Sequence, residues 1–497
     1  MKFPVAIYVC VCLTSQCSVG GFTPSSFPSS FHDMFTPKAI CHRQRQHHLP
    51  PLAAKGFAKD TPIASHQPST DEDRSKALKP LLEWSRCAHV SRAKGIDVSP
   101  NPKNVGGGVG IRTNRGGEAG SEIISIPRGL VLSSRDAERA MDATVLSEIR
   151  EVLSARGLET YQSEFLLMLR FLTEFVLDQN SRWAPWIDSL PRDLDIGIYF
   201  DEIEKSFLPQ LASKFLDLQE RLLDAFRQAF THIAKSDETL SSLNTDHEEG
   251  DDDIIKWAFG IVFSRSWRAP SDSEDARIVP IADCFNHGDV ANVLVQEENE
   301  SSDAATKIIL KGDVERDTEL LLSYGPGHDP SRFLIIFGFF DDAVTEIFCG
   351  VAFSNPSPEM VDLGCADRAK MVYQKDGLIA NAVWDSVLYA TLAQKPAEQK
   401  EFYDAHAKGD SASKLAMHEK YRLEVTAALR NHCDAVLSSE YRVPSDDEMT
   451  ALDLSKHPRL STIVRHNRAM RKFFESTKAR LDAIISVEVD KRRSNMQ

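Results

Sequence analysis

Tyr324 is the first side chain whose type and surroundings could do chemistry. It ends the apolar run Leu321-Leu322-Ser323 and precedes Gly325-Pro326. A tyrosine at the end of an apolar strand lies at the edge of a pocket, where its hydroxyl could orient an amine or contact a sulfonium. The alternative is a core aromatic residue with a hydrogen-bonded hydroxyl. Tyr324 is therefore a candidate catalytic residue.

Polar groups in apolar surroundings occur in two further segments. Asn286 and His287 follow the largely apolar stretch 279–285. Their amide and ring nitrogens could together read the edge of an adenine, or they could form a turn with a core histidine. Arg265 lies within the apolar segment 257–267. A buried arginine needs an anionic partner, which is either a protein carboxylate or a ligand carboxylate.

A glycine-rich run, Gly106-Gly107-Gly108-Val109-Gly110, allows the backbone to approach a ligand closely. A dinucleotide-binding loop would open directly into a helix. Here Ile111-Arg112-Thr113 predicts a strand, so a nucleotide-dependent oxidoreductase is disfavoured. The run is either a ligand contact or a flexible turn.

The order of the predicted elements gives the fold class. Hydrophobic patterning predicts an aromatic loop at 183–191 within a helical stretch of about 136–255, and helices from 355 to the end. Strands are predicted on both sides of the helical stretch, at 111–113, 122–127, 130–132, 278–281, 292–295, 307–310 and 319–323. A doubly wound fold would alternate strand and helix throughout. The pattern therefore predicts an α+β fold whose β unit is split by a helical insertion.

Taken together, the motifs resemble one family. They are Gly-x-Gly before a strand, Ser-Arg-x-aromatic at Arg265, Pro-x-Ala-Asp-x-x-Asn-His at 280–287 and Ser-Tyr-Gly-Pro at 323–326. They resemble the split-SET methyltransferases, which include plant Rubisco large-subunit lysine methyltransferase and the actin-histidine methyltransferase of animals. The segment 186–191 also resembles part of that family's insertion.

The resemblance implies the domains and the reaction. It implies a SET-domain β-fold with a knot-like core at 76–354, the helical insertion at about 136–255, and a helical substrate-binding domain of the Rubisco methyltransferase type at 355–497. S-adenosylmethionine would be the cofactor, and a lysine side-chain nitrogen of a protein substrate would accept the methyl group.

The resemblance also assigns roles to individual residues, and it implies no metal. The implied roles are catalysis by Tyr324; cofactor binding by Gly107, Gly108, Val109, Arg265, Asn286 and His287; and substrate binding by Arg265, Asp283 and Phe337.

Two departures from the family pattern leave the acceptor open. Phe337 stands where many lysine-methylating relatives have tyrosine, and Trp267 replaces a smaller aromatic residue. Methylation of histidine instead of lysine, or a non-catalytic SET-fold binding module, therefore remain alternatives. A chromatin enzyme acting on histone lysines is disfavoured by the amino-terminal leader and by the lack of flanking cysteine-rich zinc segments.

Composition limits the partners. A net charge of −15 argues against a dedicated nucleic-acid binder. The nine cysteines include no C-x-x-C pair outside the leader, so isolated reduced thiols are expected instead of a zinc site or a disulfide framework. We expect a monomer that contacts a protein substrate, and neither nucleic acid nor, in the mature form, a membrane.

The amino terminus resembles a targeting leader. Residues 1–21 combine Lys2 with an apolar run too short to span a bilayer, which predicts a signal peptide. Residues 22–75 are rich in Ser, Thr, Pro, His and Arg, which predicts disorder. The pair resembles the two-part plastid leaders of algae with secondary plastids. Plastid localisation is expected, with secretion or the cytoplasm as alternatives.

Overall fold

A computed structural model describes residues 71–100, 108–235, 237, 239–243, 253–269, 272–297, 305–325, 327, 329–353 and 355–494. The predicted signal peptide, nearly all of the segment 22–75 and Gly107 lie outside these residues. The first helix begins at Asp71, inside that segment. No helix in the described part of the chain is both long and apolar enough to cross a membrane.

Helices and strands occur in blocks, which confirms the α+β prediction. The α-helices of the described residues are α1 Asp71–Cys87, α2 Ser134–Ala140, α3 Ala143–Ser154, α4 Gln162–Val176, α5 Ala184–Ser189, α6 Glu202–Lys205, α7 Gln210–Ala234, α8 Ile254–Arg265, α9 Pro330–Phe337, α10 Pro358–Asp362, α11 Asn381–Thr391, α12 Pro396–Ala407, α13 Ser411–Lys420, α14 Arg422–Ser439, α15 Asp446–Ala451 and α16 Leu460–Ser494. The strands are β1 Ser91–Arg92, β2 Ile96–Pro100, β3 Val109–Thr113, β4 Glu122–Pro127, β5 Leu132–Ser133, β6 Trp267–Ala269, β7 Asp272–Ile278, β8 Asn286–His287, β9 Val293–Glu297, β10 Ala305–Leu310, β11 Thr318–Leu322, β12 Glu346–Phe348 and β13 Val372–Gln374.

The described residues group into two compact units. Residues 71–198 and 218–324 form the first, here called the sheet unit. Residues 199–217 and 325–494 form the second, the C-terminal unit. This division differs from the predicted domains, because it assigns 199–217 and 325–354 to the C-terminal unit.

The sheet unit contains three small sheets. Their strand orders are β1-β4-β10-β9, β2-β3-β11-β8 and β5-β7-β6. Among the described strands, β8 and β11 form the one parallel pair, while the other pairings are antiparallel. Because β8 is only two residues long, its pairing with β11 fixes the place of Asn286 and His287 in the unit.

The strand predicted over 278–281 is wrong beyond its first residue, because β7 ends at Ile278. Pro280 has no N–H to donate to a neighbouring strand, so the chain turns there. The turn passes through Ile281, which is buried and has a φ of 74°. Positive φ is unfavourable for a β-branched residue. A 3₁₀ turn, Ala282–Cys284, follows directly.

The aromatic loop predicted over 183–191 is instead the short helix α5. Pro185 lies in its first turn, where the missing N–H of proline costs no hydrogen bond. The segment after 355 is helical as predicted, with one exception. Strand β13 pairs with β12 through three residue pairs, and three residues are too few for a periodic pattern to reveal.

A buried polar chain explains why residues 199–217 belong to the C-terminal unit. The Asn467 amide donates to the carbonyl of Phe207 at 2.8 Å, and its Oδ1 lies 2.9 Å from His466 Nδ1. His466 Nε2 lies 3.2 Å from the Ser331 hydroxyl. Burial lowers the pKa of His466 to about 4, so its ring is neutral. Nδ1 therefore carries the proton, and Nε2 accepts from Ser331.

Asp275 on β7 is the polar centre that ties the sheet unit to its helical insertion. Its Oδ1 accepts from the hydroxyls of Ser133 at 2.7 Å and Ser134 at 3.1 Å, and from the Arg135 N–H at 3.1 Å. Its Oδ2 accepts from Arg277 Nε. The carboxylate thus joins β7 to the start of α2, and β7 leads directly into the Ile281 turn.

Replacing Asp275 with alanine should lower the free energy of unfolding by about 3 kcal/mol or more, because several buried donors lose their acceptor at once. Urea unfolding followed by circular dichroism measures the loss. Asp272→Ala is the matched control. Asp272 pairs with Arg135 at 2.9 Å, but the pair is about a third exposed, so about 1 kcal/mol is expected. Equal losses would show that Asp275 does not hold β7 to the insertion.

Candidate active site

One end of the sheet β2-β3-β11-β8 gathers most of the predicted site residues. Strand β8 pairs in parallel with β11, so Asn286 lies beside Leu321 and His287 beside Leu322. Strand β3 runs antiparallel to β11, and its first residue, Val109, therefore lies at the end where β11 finishes. Tyr324 follows two residues after β11. Gly108 and Val109, the Asn-His pair and the tyrosine, which are distant in sequence, thus meet at one edge.

His287 joins β8 to the segment after β11. The Tyr324 backbone N–H donates to His287 Nδ1 at 3.1 Å. Because Nδ1 accepts, the proton of the neutral imidazole is assigned to Nε2. Nε2 lies 3.4 Å from Asp289 Oδ1, and the imidazole is almost completely buried. The rings of His287 and Tyr324 are tilted, with centroids 5.5 Å apart. His287 therefore fixes the position of the Tyr324 backbone.

Glu319 on β11 orients the Asn286 amide. Asn286 Nδ2 donates to Glu319 Oε1 at 2.9 Å. A carboxylate only accepts, so the amide nitrogen must be the atom that faces Glu319. The amide oxygen of Asn286 consequently points elsewhere as an acceptor. Asn292 supports the same strand, because its Nδ2 donates to the Glu319 carbonyl and its Oδ1 accepts from the Leu321 N–H.

The Tyr324 hydroxyl is a buried donor. It donates to the backbone carbonyl of Phe285, which directly precedes the Asn-His pair. Burial raises the pKa of Tyr324 above its ordinary value; the Arg265 charge opposes this rise and the Asp283 charge adds to it. The phenol is therefore neutral at physiological pH. Its oxygen can accept a hydrogen bond, but the group is not a phenolate base.

Arg265 and Asp283 form an ion pair beside this edge. Arg265 Nη1 donates to both the carboxylate and the backbone carbonyl of Asp283, each at 3.1 Å. The Asp283 side chain is 1% exposed and that of Arg265 is 23% exposed. The sequence left open whether the partner of Arg265 is a protein carboxylate or a ligand carboxylate. In the structure it is the protein carboxylate of Asp283. The Nε atom of Arg265 is buried without a hydrogen-bond partner, so it can still donate to a ligand.

Cys284 is excluded as a nucleophile. Its side chain is buried next to Asp283, and burial raises the pKa of its thiol above the ordinary value. The thiolate is the reactive form of cysteine, so this residue remains an inert thiol.

Gly108 and Val109 differ in their surroundings. Val109 pairs with Pro100 at the start of β3. Gly108 is exposed, and a Cβ built on it would meet no atom within 4 Å. The protein itself therefore does not require glycine at this position. The open space beside its backbone leaves room for a ligand.

Two of the predicted site residues lie outside the described part of the sheet unit. Phe337 is the last residue of α9 in the C-terminal unit, where its ring lies 5.5 Å from Phe333 and 6.2 Å from Phe339. Gly107 lies outside the described residues. For both, the implied roles stay predictions.

Sequence reasoning missed three partners of the predicted residues, Glu319, Asp289 and the indole of Trp186. Trp186 Nε1 donates to Asp283 Oδ2 at 3.1 Å, across 97 residues of sequence. Nothing in the local pattern signals that contact. Asp289 gave a weak signal, because it lies two residues after His287.

The chain is similar to known protein methyltransferases in sequence. No protein-family model matches it. It is 24% identical to the actin-histidine N-methyltransferase of Xenopus tropicalis over 277 residues, and 25% and 24% identical to those of Gallus gallus and Homo sapiens. These alignments cover 54–55% of this chain and 44% of each relative. The chain thus spans less than half the length of the relatives it matches.

Solved structures show the same fold. Rubisco LSMT bound to AdoMet superimposes with a TM-score of 0.55 at 16% identity, covering 84% of this chain and 93% of that one. The SET domain of LSMT bound to methyllysine and AdoHcy gives a TM-score of 0.56 with the same identity and coverage. The fold is therefore that of SET domains, which confirms the predicted fold class. The resemblance to both groups of methyltransferases, first indicated by the motifs, is confirmed as well.

Replacing Arg265 with methionine should lower the free energy of unfolding by about 3 kcal/mol, because it leaves the buried Asp283 carboxylate without its cation. Urea unfolding measures the loss. The double variant Arg265→Met/Asp283→Asn removes both charges and should recover part of it. Strictly additive losses in the two single variants and the double variant would show that the two side chains are not coupled.

Proposed function

We propose that this protein is an S-adenosylmethionine-dependent protein methyltransferase that transfers a methyl group to a lysine side-chain nitrogen of another protein. The observation that carries the proposal is the single sheet edge where Gly108 and Val109, Asn286 and His287, and Tyr324 meet. The SET fold and the sequence similarity to methyltransferases support it. The LSMT structures hold AdoMet or AdoHcy, which supports S-adenosylmethionine as the cofactor.

The residues at the edge fit this cofactor. The open space at Gly108 admits a ligand against the backbone, and the oriented Asn286 amide offers a fixed acceptor. The unpartnered Nε of Arg265 can donate to a carboxylate. When bound, S-adenosylmethionine supplies an electrophilic methyl group on a positively charged sulfur. Holding it would be the task of Gly107, Gly108, Val109, Arg265, Asn286 and His287.

Tyr324 would act by position and not as a base. Its phenol stays protonated and donates to the Phe285 carbonyl, so its oxygen presents lone pairs in a fixed direction. A lysine acceptor must attack as the neutral amine, and deprotonating an ordinary lysine near pH 7.5 costs about 4 kcal/mol. Entry into an apolar channel lowers that cost by disfavouring the ammonium. Most of the rate enhancement would then come from orientation.

Histidine is the second candidate acceptor. The curated relatives are named for methylating a histidine of actin, whereas the LSMT structures hold lysine or methyllysine. A histidine with a pKa of about 6.5 is mostly neutral at pH 7.5, so it would need almost no deprotonation. The Phe337 departure from the lysine-methylating pattern also keeps this candidate open.

We further propose that the protein acts in the plastid as a monomer and that its acceptor is the Rubisco large subunit or aldolase. The two-part leader at 1–75 supports the location, and the family resemblance supports the acceptors. The net charge of −15 fits a protein partner better than a nucleic acid.

The experiment that tests the activity is transfer of tritium from methyl-labelled S-adenosylmethionine to proteins of a soluble plastid extract. The protein without its first 70 residues should label a discrete band, and Tyr324→Phe should reduce labelling about 100-fold. Amino-acid analysis of the band distinguishes methyllysine from methylhistidine. Cofactor binding without labelling in plastid, cytosolic and histone fractions would favour the non-catalytic binding module instead.

Replacing Gly108 with alanine should weaken cofactor binding without destabilising the fold. The new methyl group meets no protein atom, so it occupies only the space proposed for the cofactor. Calorimetric titration with S-adenosylhomocysteine should show a dissociation constant raised about 10-fold or more, a loss of about 1.4 kcal/mol. Gly312→Ala is the matched control, since a Cβ there also meets nothing. Equal dissociation constants in both variants would show that Gly108 does not lie beside the bound cofactor.

A further inference from the structure

Trp186 connects the helical insertion to the candidate site. Its side chain is fully buried on α5, and its ring packs edge-to-face on Phe171, with centroids 6.0 Å apart. Its indole N–H donates to Asp283 Oδ2 at 3.1 Å. A buried indole N–H needs an acceptor, and here the acceptor is a side chain of the site instead of a backbone carbonyl.

Asp283 is held from two sides by elements outside its own turn. Its Oδ2 accepts from Trp186 on α5 and from Arg265 at the end of α8. Its backbone carbonyl also accepts from Arg265. With both the side chain and the backbone restrained, the turn Ala282–Cys284 has little freedom to shift.

The backbone before this turn is strained. Ile281 has a φ of 74° although it is β-branched and completely buried. Such a conformation costs about 1 to 3 kcal/mol and persists only where the surroundings determine it fully. The three hydrogen bonds that Asp283 accepts from Trp186 and Arg265, together with the bond from its own N–H to the carbonyl of Val279 at 3.0 Å, restrain the residues that follow Ile281.

The Ala282–Cys284 turn also positions the acceptor of the Tyr324 hydroxyl. Phe285 follows Asp283 by two residues, and its carbonyl accepts the hydrogen bond from the Tyr324 hydroxyl. The Phe285 N–H donates to the carbonyl of Ala282 at 3.2 Å, so the carbonyl of Phe285 moves with the turn. A continuous chain of contacts therefore runs from the Trp186 indole through Asp283 to the hydroxyl of Tyr324.

We propose that Trp186 is a positioning residue for methyl transfer: its N–H fixes Asp283, and the turn that follows sets the direction of the Tyr324 hydroxyl. This inference rests on the proposed function. It gives the helical insertion a role in the chemistry, because α5 belongs to the insertion. A displacement of about 1 Å in a catalytic group can cost about 100-fold in rate.

The test compares Trp186→Phe with Trp257→Phe. Trp257 is a close match, because it is buried, packs on Phe171 with centroids 5.2 Å apart, and donates its indole N–H at 2.8 Å. Its acceptor, however, is the backbone carbonyl of Pro191 and not a residue of the site. Both variants lose an indole and one hydrogen bond, so similar decreases in the urea unfolding midpoint are expected.

The readout is the rate of tritium transfer to proteins of the same plastid extract at saturating S-adenosylmethionine. Trp186→Phe should reduce kcat about 10- to 100-fold while the KM for S-adenosylmethionine changes by no more than about 2-fold. Trp257→Phe should keep kcat within about 2-fold of the natural protein. Adding Trp186→Phe to Asp283→Asn should reduce kcat little further, since both act through the same carboxylate.

The outcomes separate the two proposals. Turnover by the natural protein with equal kcat losses in Trp186→Phe and Trp257→Phe would overturn the role of Trp186 and leave the methyltransferase proposal standing. If the decreases in kcat of Trp186→Phe and Asp283→Asn multiply in the double variant, the role of Trp186 is likewise overturned. Such a result would show that the two residues affect kcat independently of each other. No turnover by the natural protein in any extract would overturn both.

Discussion

The parallel pairing of β8 with β11 is the constraint on which the candidate site depends. Side chains alternate between the two faces of a strand, so a slip of one residue would turn the side chains of Asn286 and His287 each to the opposite face of the sheet. The pairing is short, and side chains secure it at both ends. Glu319 binds the Asn286 amide, and His287 accepts the Tyr324 N–H. The Asn286-His287 segment and the tyrosine take their places from this register, and the antiparallel pairing of β3 with the same strand β11 brings Val109 to the same end.

Burial then decides the protonation states around that edge. The Tyr324 phenol and the Cys284 thiol are both held in their neutral forms by the loss of water. The buried charge of Asp283 is compensated by the charge of Arg265. A site of this kind offers fixed donors and acceptors in place of a strong base. That suits a reaction in which the leaving group is already activated and alignment is the main requirement.

Two buried carboxylates anchor the chain that leads into the site. Asp275 binds the start of the helical insertion to β7, and Asp283, eight residues later, accepts from α5 and α8. Between them lie the proline that ends β7 and the strained Ile281. The insertion therefore does more than interrupt the β unit. Its residue Trp186 donates to Asp283, and the residues that open it donate to Asp275, so both ends of the strained segment are restrained.

The sequence by itself determined the α+β class, and it supplied the candidate site residues that the structure brings together, Val109, Asn286, His287 and Tyr324. Those features follow from periodicity and from short motifs such as Asn286-His287 and Tyr324-Gly325, which are local. It mispredicted the end of β7 and the helix α5, where proline and tertiary packing override local pattern.

Only the tertiary structure decided which side chains meet. The bonds of Glu319 to Asn286 and of Trp186 to Asp283 join residues 33 and 97 positions apart. No periodicity encodes such distances, because they depend on how strands pair and helices pack after the chain has folded. The protonation state of Tyr324 was likewise undecided until its burial and its partner at Phe285 were known. Chemistry-bearing residue types can be read from sequence, whereas the geometry that makes them a site is a property of the fold.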